Sequence, residues 1–242
     1  MMQLLLLLKW QTYLNNFSPV GDNLKLFKDI KTIFFDYDGT LHNSIAIYAP
    51  AFRKAYEYLV EEGYVQQRDW SNSEISYWLG FNPQDMWKRF IPDLSEELRQ
   101  HCSSIIGEEM KRLIEQGKPV LYEGAIETLN YLKNKGYHLV FISNCKNYYK
   151  ESHSKLFKLD RYFEALICSD EYNFIPKHEI LSIIKNNYPE AMVIVGDRNQ
   201  DIEAGKKNNI HTIGCSYGFA LEKELDDADI LIGDIRELVK YL

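Results

Sequence analysis

Asp36 and Asp38 stand one residue apart, after the apolar run Thr32-Ile33-Phe34-Phe35 and before Gly39. Successive strand residues point to opposite faces, so the two carboxylates would diverge if the strand continued. A glycine in the next position lets the backbone turn and bring both towards one point. Two acids at the mouth of a strand need a cation or a proton. The plainer alternative is a solvated acidic turn after an ordinary strand.

Three more polar clusters fall at or just after the ends of other apolar runs. Ser143 and Asn144 close His138-Leu-Val-Phe-Ile142, Lys177 follows the run that ends near Ser169, and Gly196-Asp197 closes Met192-Val-Ile-Val195 with Asp201 four residues on. Taken in chain order, these supply a nucleophile with a partner acid, a hydroxyl, a cation and two further acids. Each has a plainer alternative. Ser143 and Asn144 could cap a strand end, Asp197 and Asp201 could serve a helix first turn, and a lysine is usually a solvated surface residue, with Lys146 and Lys150 as nearby competitors.

The elements that must position these groups follow from periodicity. Apolar residues at three- and four-residue spacing (Tyr48, Phe52, Ala55, Tyr56, Leu59) predict a helix after Leu41, capped by Asn43 or Ser44 and ended by Gly63. Ser71 to Leu79, Pro83 to Phe90 and Ser95 to Gln116 read as three more helices. From Pro119 the pattern alternates: helix Gly124 to Lys135, strand His138 to Ser143, helix Tyr148 to Phe157, strand Leu166 to Ser169, helix Lys177 to Asn187. Strand Met192 to Asp197, helix Asp201 to Asn208, strand Thr212 to Cys215 and a short strand and helix within Ile230 to Leu242 complete it. Apolar strands alternating with helices predict an α/β fold, a Rossmann-like parallel sheet in three α/β/α layers. The expected division is an extension over 1–29, a catalytic core over 30–44 and 119–242, and an all-helical cap over 45–118. Ligands of open parallel sheets bind beyond the carboxyl ends of the strands, so an insert leaving that edge would overhang the site as a lid.

Composition narrows the function classes. The chain has 242 residues, 45% hydrophobic and 26% charged, with net charge -7. This suits a globular protein with a full core and disfavours a nucleic-acid backbone as partner, because such binding relies on clustered Lys and Arg. Cys102, Cys145, Cys168 and Cys215 form no Cys-x-x-Cys pair, which argues against a zinc site or a disulfide framework and favours a reduced, cytoplasmic setting. Leu4 to Leu8 is interrupted by Lys9, Gln11, Asn15 and Asn16, well short of the ~20 apolar residues needed to span a membrane. It also lacks the flanks of a signal peptide. No membrane association is expected, and the N-terminal segment reads as a loosely docked extension.

With these four motifs in order, the chain from about Lys31 onward resembles the haloacid dehalogenase superfamily, in its phosphoglycolate phosphatase-like branch with a small helical cap. The resemblance implies that Asp36 is a nucleophile forming an aspartyl-phosphate and Asp38 an acid and base one residue along. It implies a Mg2+ ion held by the Asp36 carboxylate, the Asp38 backbone carbonyl and Asp197, with Asp201 reinforcing the metal site or positioning Lys177. Ser143, Asn144, Gly39, the turn amides and Lys177 are implied phosphate-binding groups. Three departures stand out. The lysine motif is the compact Ile175-Pro176-Lys177 where relatives often have Lys-Pro-x-Pro, Asn43 replaces a frequent Asp, and Cys145 follows Asn144 where many relatives have lysine.

The cap segment is rich in rings, most of which must form its own core. The turn Gly80-Phe81-Asn82 is the better candidate for touching substrate. The implied activity is a Mg2+-dependent phosphatase of small phosphorylated metabolites (phosphoglycolate-, nucleotide- or sugar-phosphate-like), acting as a monomer or homodimer. A sugar phosphomutase resembling β-phosphoglucomutase is the enzymatic alternative. A binding protein on the same fold is the non-enzymatic one. A dehalogenase is disfavoured because that chemistry dispenses with an acid at the position of Asp38.

Overall fold

The computed structural model of the chain describes residues 27–81 and 83–242, so most of the N-terminal extension and Asn82 of the cap turn lie outside the described residues. Strands β1 (Thr32–Phe35), β2 (His138–Ser143), β3 (Ala165–Cys168), β4 (Met192–Gly196), β5 (His211–Cys215) and β6 (Ile230–Ile232) form one sheet in the order β3-β2-β1-β4-β5-β6. Every pairing is parallel. β1 lies between β2 and β4, with Phe35 level with Phe141 on one side and Val195 on the other. The motifs that follow these three strands are therefore delivered to one edge.

The interiors of the central strands β1, β2 and β4 are apolar because the sheet is covered on both faces there. Ile33 and Phe35 pack with Leu139, Phe141, Val193 and Val195 on one face. Phe34 packs with Val140, Ile142 and Ile194 on the other.

Between β1 and β2 run the helices α1 (Ile45–Glu61), α2 (Asn72–Ser76), α3 (Pro83–Phe90), α4 (Glu96–Glu115) and α5 (Ala125–Asn134). α1 is the spine of the cap. Its Ala51, Ala55 and Leu59 meet Trp87, Cys102 and Ile106, while Ala49, Phe52 and Tyr56 meet Ile75. The cap rings fill these two clusters, with Tyr64 and Tyr77 the exposed exceptions. The later crossovers are α6 (Asn147–Phe157), α7 (Lys177–Ile184) and α8 (Asn199–Lys207).

Several boundaries differ from expectation. α2 is one short turn rather than the run Ser71 to Leu79: Ser71 and Glu74 close a reciprocal capping box at its start, and after Ser76 the chain tightens into turns, Trp78 N–H to Ile75 O and Leu79 N–H to Ser76 O, that lead to Gly80. Ser44 occupies the N-cap of α1 but makes no capping bond, and its hydroxyl is buried without a partner. α7 stops at Ile184 and tightens into a 3-10 turn, Lys185–Asn187, and the last helix is wholly 3-10, Ile235–Lys240. α8 begins at Asn199, which puts Asp201 in its first turn. Among the described residues no helix is long and apolar enough to cross a membrane.

Candidate active site

Asp36 leaves β1 with its backbone N–H bonded to Val195 O at 2.9 Å, so it stays in register with the sheet. The chain then reverses sharply. Tyr37 O accepts from the N–H groups of Leu41 at 2.8 Å and His42 at 2.9 Å, and Gly39 N–H donates back to His42 O at 2.8 Å. Gly39 adopts φ +82, and a Cβ there would lie 2.0 Å from Asp197 Oδ2. Glycine is required both for the left-handed turn and for the approach of the carboxylate.

The turn parts the two acids. Asp36 faces Asp197 and Asp201, and ligand oxygens of these three buried carboxylates lie within 4.8 Å of one another. Lys177 sits among them, its Nζ 2.5 Å from Asp36 Oδ1 and 2.6 Å from Asp201 Oδ1. Of the two competing lysines, Lys150 is committed to Glu171 and Lys146 is exposed at the N-cap of α6. Asp38 points elsewhere, and its Oδ1 accepts from Tyr149 Oη at 2.7 Å and from His42 Nδ1 at 2.8 Å.

Asp201 serves two of the readings open at the sequence level. It accepts from Arg198 N–H at 3.0 Å through Oδ2, capping the first turn of α8, while Oδ1 takes Lys177. Ser143 ends β2 with its side chain buried. Asn144 is exposed, and its amide donates to Gln200 at the start of α8.

The electrostatics follow from burial. Burial pushes Asp36 up to about 7, assisted by the charge of Asp201 and opposed by Lys177. Burial and then the charges of Asp36 and Asp201 push Asp197 well above the carboxylate range. Burial alone would lower Lys177, but Asp201 and Asp36 outweigh it and hold the ammonium charged. Asp38 goes the other way. Burial would raise it, yet hydrogen bonding and charge from His42, with the Tyr149 hydroxyl, hold it below the usual range.

Three crowded carboxylates with one lysine carry an excess of negative charge, and their donors are all oxygen. That set suits a hard divalent cation, which would offset the burial and the repulsion that together raise Asp197. Asp36, Asp197 and Asp201 could hold it.

Sequence reasoning missed several residues that shape the site. Gly218 and Phe219, in the loop after β5, brace Asp197: Phe219 N–H donates to Asp197 Oδ2 at 2.6 Å, and a Cβ on Gly218 would fall 2.4 Å from Asp197 Cβ. A glycine soon after a strand end was the available signal. His42 and Tyr149 gave none, because a histidine in a turn and a tyrosine on a helix look ordinary. Arg198 was missed as well. It pairs with Glu224 at 2.7 Å and donates to Leu79 O of the cap turn. Beside it a cavity of about 310 Å³ is lined by Tyr77, Gly80 and Phe81 from the cap side and by Arg198, Asn199 and Gln200 from the core. Gly80 and Phe81, the expected cap contacts, thus face the start of α8.

The sequence pattern of the haloacid dehalogenase-like hydrolases matches residues 33–215. The chain is 24% identical over 193 residues to the pyrophosphatase PpaX of Bacillus mycoides (strain KBAB4), covering 78% of this chain and 84% of that one. Its fold is similar to that of the haloacid dehalogenase-like family protein SP0104 from Streptococcus pneumoniae, with TM-score 0.74, 21% identity and coverage of 88% and 99%. A predicted phosphoglycolate phosphatase from Haemophilus somnus 129PT aligns with TM-score 0.73 at 21% identity, covering 87% of this chain and 97% of that one.

Proposed function

We propose, from the premise that the chain belongs to the haloacid dehalogenase-like hydrolase family, that it is a Mg2+-dependent phosphatase of small phosphate monoesters acting through a phosphorylated Asp36. The observation that carries this reading is the division of the two motif acids. Asp36 lies among buried carboxylates and against Lys177, while Asp38 is bonded separately to His42 and Tyr149. A nucleophile and a proton carrier need different surroundings, and a divalent cation beside Asp36 would bring its raised carboxyl to the ionised form that attacks.

In the first step an Asp36 oxygen attacks phosphorus as the bond to the ester oxygen breaks, and Asp38, in its protonated form a ready donor because it holds the proton weakly, gives that proton to the leaving oxygen. In the second step water attacks the same phosphorus, its proton passes to Asp38, and the bond to Asp36 breaks to release phosphate. Lys177 offsets the charge of the phosphoryl oxygens, and Ser143 with the turn amides holds them. When bound at Asp36, Asp197 and Asp201, with the Asp38 carbonyl, Mg2+ neutralises phosphate so that one anion can approach another.

Residues 45–118 act as the lid over this edge. The cavity between Gly80, Phe81 and Arg198 favours a small leaving group. The relatives named for pyrophosphate and phosphoglycolate hydrolysis make short, strongly anionic esters and anhydrides the first substrates to try. The four free thiols suit a reducing cytoplasm.

A panel of phosphate monoesters and pyrophosphate, assayed with Mg2+ and with EDTA for phosphate release and for rearranged product, tests the reading. Phosphate release that EDTA abolishes is expected. Isomer interconversion without net release would make the chain a mutase, and no turnover of any compound would refute the proposal.

A further inference from the structure

We propose that His42 and Tyr149 are positioning residues that clamp Asp38 for proton transfer; this rests on the phosphatase reading above. Asp38 sits on a turn with its side chain one-third exposed, where a carboxylate would ordinarily sample several rotamers. Here it does not hang free. His42 Nδ1 and Tyr149 Oη approach the same oxygen, Oδ1, at 2.8 and 2.7 Å, and they lie 3.1 Å from each other. Both donors on Oδ1 fix the carboxylate plane and leave Oδ2 to carry the proton.

The clamp is itself held from two directions. His42 is fully buried on the turn after β1, and its ring stacks on Tyr37 at 5.2 Å. Tyr149 comes from α6 and stacks on His153 at 4.1 Å, while His153 Nδ1 meets Tyr37 Oη at 2.6 Å. His42 and His153 meet edge to face at 4.6 Å. Two further rings, Tyr37 from the turn and His153 from the helix, thus hold the two donors.

The arrangement is costly for a purely structural core. A carboxylate only accepts, so His42 Nδ1 carries a proton, and its Nε2 is then buried with no hydrogen-bond partner. Burying an unsatisfied nitrogen is unfavourable where an apolar residue would pack. The bond to Asp38 is what the imidazole adds at this position.

The clamp acts on leaving-group departure, which separates it from general stability. An alkyl leaving group needs the proton from Asp38, whereas p-nitrophenolate departs without it. For Tyr149→Phe and His42→Leu, kcat/KM on an alkyl phosphate should fall about tenfold to a hundredfold, within the range general acid catalysis supplies. On p-nitrophenyl phosphate it should change less than about threefold, since no protonation is required. The same aryl assay establishes that each variant is folded. His42→Asn, whose amide places a donor near the position of Nδ1, should recover most of the alkyl activity. Equal losses on the two esters, or no loss on either, would overturn the clamp while leaving the phosphatase reading standing. A wild-type protein that cleaves neither ester would overturn that reading and the clamp with it.

Discussion

Lys177 closes a 2.5 Å ion pair with Asp36 from the start of α7, a helix lying far along the chain from β1. The same ammonium is 2.6 Å from Asp201 Oδ1, so one cation ties the end of β1 and the first turn of α8 to α7. Pro176 precedes it and restricts the backbone at the helix start, which fixes where that cation emerges.

Lys177→Met leaves two buried carboxylates without their partner. Loss of about 3 kcal/mol of stability in EDTA is expected, the scale seen when a buried pair is broken. Added Mg2+ should raise the melting temperature of this variant more than that of the wild type, because a divalent ion replaces part of the missing charge. Melting curves with and without Mg2+ check this, and equal rises in the two proteins would contradict it.

Gly218→Ala would set a Cβ 2.4 Å from Asp197 Cβ and 2.5 Å from Gly39 O. Neither neighbour can give way without moving the carboxylate or the turn after β1. Activity should fall about a hundredfold, the scale of a misplaced catalytic group. The Mg2+ concentration for half activity should also rise. A metal titration of the variant checks it, and wild-type metal dependence would show that the loop does not brace Asp197.

His153 gives the fold a defined acid sensitivity. Burial, then the nearby His42, lowers it from 6.5 to about 3. Between those values the unfolded chain binds a proton that the folded chain does not, so stability is present above pH 6.5 and is lost as pH falls. Relative to His153→Leu, the wild type should lose about 2 to 3 kcal/mol between neutral pH and about pH 4.5. Urea unfolding at several pH values measures the difference, and parallel profiles would contradict it.

The alternation of apolar runs and helical periods was enough to read the parallel sheet, since strands buried on both faces announce themselves as unbroken runs such as Thr32–Phe35. Asp36, Asp197 and Asp201 are legible as acids at or just after strand ends, and Lys177 through the order of the four motifs and Pro176 before it. Helix ends were harder to place. The box formed by Ser71 and Glu74 marks where α2 begins but not how soon it stops. The partners of Asp38 were invisible for a different reason. Tyr149 is distant in sequence and reaches the site only through the packing of α6 beside the turn after β1. Contacts made by tertiary packing of ordinary-looking residues leave no local pattern to read.

Asp36 as the phosphoryl carrier is the claim that supports every other assignment, and rapid-quench mass spectrometry of the protein turning over a good substrate with Mg2+ tests it directly. The account predicts a single PO3 unit on the peptide bearing Asp36, lost on standing and never formed in Asp36→Asn, which should also be inactive. Steady turnover with no such adduct, together with an active Asp36→Asn variant, would contradict it.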